Sequence, residues 1–315
     1  MNKSILKIFR KIYSKYNPSN FELRNWKIFS NKEYSNELIY NLLMDNEPRM
    51  IARFGSTEML NLVNYYGIKN PARSSIKYIK GETPEWWWVN SYIHQLKNWS
   101  GFFPTDYKSV EQFCEIMLSD IKEIDLLGSW LNNEKYFKNS LKNCKRVVLE
   151  DLEPFFCTNP WTKALEGKNV LVVHPFSETI VEQYKRRNLI FENNFLPKFN
   201  LITVKAVQSL GGICEYESWF DALEHMKNEI DSIEYDICII GAGSYGLPLA
   251  AHVKRQGKKS IHLAGVTQLL FGIIGSRWEE YIVWPYMNLF NEYWVRPDDK
   301  DKPQNHNTIE GSCYW

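Results

Sequence analysis

The stretch Asp236 to Gly265, "DICIIGAGSYGLPLAAHVKRQGKKSIHLAG", sets the tightest limit on how this chain folds. An apolar run, Ile237 to Ile240, meets the turn Gly241-x-Gly243-x-x-Gly246, and a stretch of helical spacing leads to a second apolar run, "SIHLAG". Strand, glycine turn, helix and strand in that order make a nucleotide-binding type of unit with parallel strands. Two further segments share the design. "PRMIARFGSTEMLNLVNYYG" gives a strand around Met50 to Phe54, a turn at Gly55-Ser56-Thr57 and a helix ending near Gly67. "GKNVLVVHPFSETIVEQYKRRN" gives a strand around Val170 to His174, a Ser177 cap with Glu178 behind it, and a helix. "FNLITVKAV" adds a fourth strand and "KSIHLAG" a fifth, while residues 84–145 read as a mainly helical insert.

Strands alternating with helices predict an α/β fold: a Rossmann-like parallel sheet covered by helices on both faces. Ligands of such sheets lie beyond the carboxyl ends of the strands. The three turns are therefore expected to converge on one crevice, with the insert as a wall or lid. No repeat or long linker divides the chain, so residues 21–315 read as one domain after a helix at 1–20.

That first segment, "MNKSILKIFRKIYSKY", carries Lys3, Lys7, Arg10, Lys11 and Lys15 and no acid before Glu22. Ile5, Leu6, Phe9, Ile12 and Tyr13 fall near helical spacing and form an apolar stripe beside a basic face. The pattern suits peripheral contact with an anionic membrane; an amphipathic helix docked on its own domain fits equally. Net charge of +1 gives no surface built for nucleic acid. Six cysteines without CxxC or zinc spacing, no secretory segment and no apolar run near 18 residues together predict a cytoplasmic protein. Aromatics at 15% of residues suit sugars and bases as well as a core.

Read literally, the glycine turn is a dinucleotide fingerprint, which requires an acid at the end of the next strand to hold the ribose hydroxyls. "SIHLAG" ends without Asp or Glu, and without an arginine for a 2′-phosphate. Two readings remain for Gly241, Gly243, Ser244, Tyr245 and Gly246. The glycines and helix-end amides approach an anion such as a diphosphate, or they only allow tight helix–strand packing.

"ARFGSTEM", Ala52 to Met59, resembles the RFGDGE-like turn of the GT-D type glycosyltransferases, bacterial enzymes with a Rossmann-like sheet. The resemblance extends over residues 45–290 through the strand–turn–helix layout and the late glycine turn. It implies transfer of a sugar from a nucleotide-diphosphate donor, UDP-linked before GDP-linked. The implied acceptor is a glycan or lipid-linked glycan, in surface polysaccharide or glycoprotein synthesis. Arg53, Gly55 and Glu58 match the family's turn, but its Asp-x-Glu becomes Ser56-Thr57-Glu58. The family's divalent metal, Mn or Mg, thus loses one hard ligand. Either Glu58 shares a metal with another carboxylate, or Arg53 and helix-end amides at Ser56 and Thr57 offset the diphosphate charge. "VVLEDLEPFF" supplies a second Asp-x-Glu, Asp151-Leu152-Glu153, with Glu153 the candidate second metal carboxylate.

An inverting transfer also needs a base for the acceptor hydroxyl. Glu58 and His174 are the catalytic candidates, Lys205 is a candidate phosphate contact, and Tyr245 could stack on a base or sugar. Gln268, Arg277 and Trp278 lie in segments that could return to the crevice, and the terminal Cys313-Tyr314-Trp315 is expected to tuck against the domain. Two other classes stay open: an NAD(P)- or S-adenosylmethionine-dependent enzyme on the glycine turn, and a non-catalytic glycan-binding relative that has lost its metal carboxylate.

Overall fold

Strands buried on both faces must be apolar throughout, and "MIA", "VLVV" and "ICII" meet that demand. In the computed structural model, which describes residues 2–21, 28, 31–209, 215–281 and 285–301, seven strands form one sheet. They are β1 (Arg49–Arg53), β2 (Leu126–Ser129), β3 (Lys145–Val148), β4 (Asn169–His174), β5 (Asn200–Lys205), β6 (Ile237–Ile240) and β7 (Lys259–His262). The order is β3-β2-β1-β7-β6-β4-β5, and every pairing is parallel.

Around the sheet lie α1 (Lys3–Tyr16), α2 (Lys32–Met44), α3 (Ser56–Lys69), α4 (Ser75–Ile79), α5 (Asn90–Ser100) and α6 (Tyr107–Asp120). The second half adds α7 (Ser177–Lys185), α8 (Arg187–Ile190), α9 (Trp219–Asp231), α10 (Gly246–Arg255) and α11 (Val266–Leu269). Alternate strand residues feed two cores. Met50, Ala52, Leu171 and Val173 meet α3, α6, α9 and α10 on one face. Ile51, Val170, Val172 and Ile239 meet α2, α7 and α11 on the other. The Rossmann-like parallel sheet with helices on both faces is therefore present.

One strand was hidden inside the expected insert, and a second begins at its last residue. β2 and the start of β3 fall within residues 84–145, so the helical excursion proper is α3 to α6, between β1 and β2. "LLGS" is only four residues long and follows the acid-rich α6 without a turn signal, so its period cannot be told from a helix end. Ser177 is the first residue of α7, after Phe176 at the N-cap, and no side chain caps that helix. The terminal Cys313, Tyr314 and Trp315 lie outside the described residues. Among the described residues no helix is long and apolar enough to cross a membrane.

The glycine turn between β6 and α10 owes its composition to two buried histidines. A Cβ on Gly241 would lie 2.6 Å from the His174 ring and 2.7 Å from the Ala264 carbonyl. On Gly246 it would lie 2.1 Å from Cε1 of His262. Gly243 takes φ +52°, the left-handed region that favours glycine. The rings pin the ends of β4 and β7 against the turn of β6, so the packing reading explains the first and third glycines. Gly246→Val should lower the unfolding free energy in urea by about 1–3 kcal/mol, the usual cost of overpacking; an unchanged midpoint would show that the ring moves aside freely.

Candidate active site

β4 passes to α7 on one face of the sheet, whereas neighbouring β6 passes to α10 on the other. Such a reversal opens a crevice at the carboxyl ends. Here it holds two chambers that share Trp99, Ser100, Gly243, Ala264 and Gly265. The larger, about 470 Å³, lies over the ends of β1, β3 and β7; the smaller, about 120 Å³, lies between β4 and β6. Ala264, at the rim of both, has φ +53°, a strained value for a residue with a Cβ.

Arg53 ends β1 in the larger chamber. Its Nε and Nη2 donate to the Phe54 carbonyl at 3.2 and 3.0 Å, and its guanidinium lies 5.0 Å from the Trp130 ring. Trp130 Nε1 donates to the same carbonyl at 2.9 Å. Buried Glu134 holds Trp130 in place by accepting from the backbone N–H of Trp130 and Leu131, each at 3.0 Å. The Arg53 side chain is thus clamped between a carbonyl and an indole face.

Gly55 caps α3 without a side-chain bond, and Glu58 follows in the first turn. The Glu58 carboxylate folds back over Gly55, where a Cβ would lie 1.9 Å from Oε2. The glycine therefore makes room for a carboxylate at a helix N-terminus, where negative charge is favoured. Ser56 is exposed to the chamber and Thr57 is buried along its wall.

The second Asp-x-Glu divides its labour. Asp151 turns away and accepts from Asn31 N–H at 3.1 Å and Ser35 Oγ at 2.9 Å, anchoring the start of α2. Glu153 turns into the chamber, where Tyr286 Oη donates to it. Burial pushes the Glu153 carboxyl up to about 7, against the opposing pull of the Tyr286 bond and the Lys32 charge. Glu150, Arg277 and Trp278 complete the wall.

These carboxylates do not fit a resident ion. No cluster of three His, Cys, Asp or Glu suited to a metal occurs among the described residues. Ser56 stands where the resembling turn has Asp, and a serine hydroxyl is a weak ligand for a hard divalent ion compared with a carboxylate.

His174 lines the smaller chamber with Gln208, Ser209 and Gln268. Phe176 N–H donates to His174 Nδ1 at 3.0 Å, so the neutral ring carries its proton on Nε2. Burial drives its pKa down to about 3, which leaves a hydrogen-bond donor where a base was expected. His262 is held neutral near 3 by burial, reinforced by the Arg53 charge. Ser244 and Tyr245 turn inward: Ser244 Oγ donates to the Ser100 carbonyl at 2.6 Å, and Tyr245 stacks on Trp219 at 5.1 Å and 7°. Lys205 is not brought to the crevice. It pairs with Asp301 at 3.2 Å and Glu178 at 3.7 Å on the β5 edge.

The structure thus gathers Arg53, Gly55, Ser56, Thr57, Glu58, Glu153, Gly243 and Ser244 at one chamber, and Gly241, Tyr245 and His174 at the other. Gly246 sits behind the turn against His262. Sequence reasoning missed Trp99, Trp130, His262 and Tyr286. Only Trp130 carried a usable signal, since it follows a four-residue strand that itself went unread.

No family model matches this sequence, and no curated protein matches it. Among solved structures it is similar to a new glycosyltransferase (DUF1792) from Streptococcus sanguinis. That alignment has 11% identity and a TM-score of 0.42, covering 87% of this chain and 96% of the other. A selenomethionine-substituted domain of unknown function 1792 gives 11% identity and a TM-score of 0.39, over 88% and 86% of the two chains.

The raised Glu153 pKa makes stability depend on pH. The folded value, about 7, exceeds the ordinary 4.5, so this group's contribution is complete below pH 4.5 and is lost as pH rises through 7. Glu153→Gln removes the loss. Its unfolding free energy should gain on that of the parent between pH 5 and pH 8 by about 2 kcal/mol, measured by urea denaturation at each pH; a gap independent of pH would place the Glu153 carboxyl in water.

Proposed function

We propose that the protein is a glycosyltransferase that moves a sugar from a nucleoside-diphosphate donor, UDP-linked, to a glycan acceptor, free or lipid-carried, in surface polysaccharide or glycoprotein synthesis at the cytoplasmic side. The observation that carries this reading is the meeting of Arg53, Glu58 and Glu153 in one chamber of about 470 Å³, within the roughly 300–1,000 Å³ typical of small-molecule sites. It is supported by the resemblance of the Ala52–Met59 turn to that of the GT-D type enzymes.

On this reading the diphosphate lies against Arg53, Arg277 and the first amides of α3, which stabilise charge gathering on the leaving group. The anomeric bond to the diphosphate oxygen breaks as the acceptor oxygen attacks from the opposite side. The acceptor's proton passes to Glu153. A carboxylate with a pKa of about 7 is well matched to that task near neutral pH, whereas His174 has no free lone pair to offer. Glu58 accepts hydrogen bonds from the donor sugar's hydroxyls. A nicotinamide or S-adenosylmethionine cofactor finds less support, because Ser244 and Tyr245 are committed to Ser100 and Trp219. Ser56 keeps a second reading in view, a glycan-binding relative without transfer.

The test is a thermal-shift and UDP-release series with UDP and UDP-sugars, with Mn²⁺ and with chelator. UDP should raise the melting temperature by mass action; Arg53→Ala should cancel the rise, and NAD⁺ and S-adenosylmethionine should give none. Binding without UDP release in the presence of any glycan acceptor would favour the glycan-binding reading, and a shift with NAD⁺ alone would sink both.

For an active enzyme, kcat/KM should rise as pH increases through about 7 as Glu153 ionises. Glu153→Gln should lower kcat by about 10²–10⁴ and abolish that limb of the profile. Retention of the limb in the variant would assign the base elsewhere.

A further inference from the structure

We propose that α1 is a docking surface for an anionic lipid membrane. The inference is independent of the transfer reading, since it concerns a face of the molecule that the crevice does not use. α1 divides into three sectors at 3.6 residues per turn. Leu6, Arg10 and Tyr13 face the domain: Leu6 is 2% exposed, and Arg10 Nη1 donates to the carbonyls of Tyr78 and Thr83 at 3.2 and 3.0 Å. The Arg10 guanidinium also lies 4.5 Å from the Tyr78 ring, and Lys3 reaches over Trp87 at 5.8 Å. The helix is therefore fastened to the α4 region by one narrow strip.

The second sector is apolar and faces outward. Ile5, Ile8, Phe9, Ile12 and Tyr16 are between 44% and 77% exposed, a continuous stripe along the whole helix. An ordinary docked amphipathic helix buries its apolar side, and this one presents it to solvent. The third sector, Lys7, Lys11 and Lys15, borders that stripe with exposed cations one helical turn apart. α1 contains no acidic residue. An apolar stripe edged by lysines fits a surface with an acyl layer below and negative headgroups above, into which the lysine stems can extend. A protein groove would need to supply acids at the same spacing, whereas a membrane supplies them anywhere. Each lysine near an anionic surface adds roughly five-fold to affinity.

The experiment is co-sedimentation of the full chain with vesicles of phosphatidylcholine alone or containing phosphatidylglycerol, at low and high salt, with sedimentation equilibrium of the protein by itself. We expect binding to the anionic vesicles that weakens with salt. Ile8→Ser/Ile12→Ser should weaken it at least ten-fold, with an unchanged melting temperature because both side chains are exposed. Lys7→Gln/Lys11→Gln/Lys15→Gln should remove the preference for anionic lipid. Binding to neither vesicle overturns the proposal, as does equal binding to both. A dimer that Ile8→Ser/Ile12→Ser dissociates also overturns it, and assigns the stripe to a second copy of the chain. A UDP thermal shift on the same samples reports the crevice separately, so the two readings succeed or fail apart.

Discussion

The arrangement of the crevice depends on two imidazole rings that take the space where side chains of a glycine turn would otherwise be. His174 at the end of β4 lies against Gly241, and His262 at the end of β7 lies against Gly246. Both rings are buried and neutral, since charging either one there would forfeit its hydration. Three neighbouring strand ends are thereby held at fixed heights, and the loops that leave them can only rise in certain directions. The turn of β6 follows the ring surfaces at Gly241 and Gly246, Gly243 between them is left-handed, and Ala264 has the same sign of φ on the opposite rim.

The chambers on either side of that turn differ in chemistry. The smaller is walled mainly by apolar groups, Trp99, Pro175, Phe176 and Val207 among them, with His174 able only to donate. The larger brings formal charges together in partial burial: Arg53 held between a carbonyl and the Trp130 face, Glu58 over a bare glycine, and Glu153 beneath Tyr286. Low dielectric makes each of these charges count for more than it would at the surface. Asp151, two residues before Glu153, anchors α2, and this keeps Glu153 turned toward the crevice.

Much of the fold could be read from the chain because parallel strands buried on both faces need unbroken apolar runs, and five such runs were plain. β2 and β3 were not, since four residues carry too little period on their own, and neither has the glycine turn that marks the equally short β6. At the site, the turn Arg53 to Glu58 was legible through its small residues and its resemblance to a known turn. Glu153 was legible as half of a common tripeptide, though nothing local distinguished its role from that of Asp151. The glycine turn misled in part, because two long-range ring contacts, invisible in sequence, explain glycines that otherwise suggest a bound diphosphate. Lys205 illustrates the reverse error: its place at a strand end was right, but β5 is the sheet edge, and Asp301 claims the ammonium. Trp99 and Tyr286 reach the site from segments far away in sequence, with no motif to mark them.

The segment Ser100 to Phe103 leaves α5 and is fastened across the crevice rather than to its own half of the sheet. Ser244 Oγ donates to the Ser100 carbonyl at 2.6 Å, Ser209 Oγ to the Gly101 carbonyl at 2.6 Å, and Trp219 N–H to the Phe103 carbonyl at 2.8 Å. Trp99, just before it, lines both chambers. Any displacement of this strap alters the two spaces together. A molecule that binds better to one position of the strap must bias the neighbouring space, and an occupant there returns the bias by the same factor. The two chambers thus have one wall in common, held in place by three hydrogen bonds, and a change at Trp99 alters the lining of both.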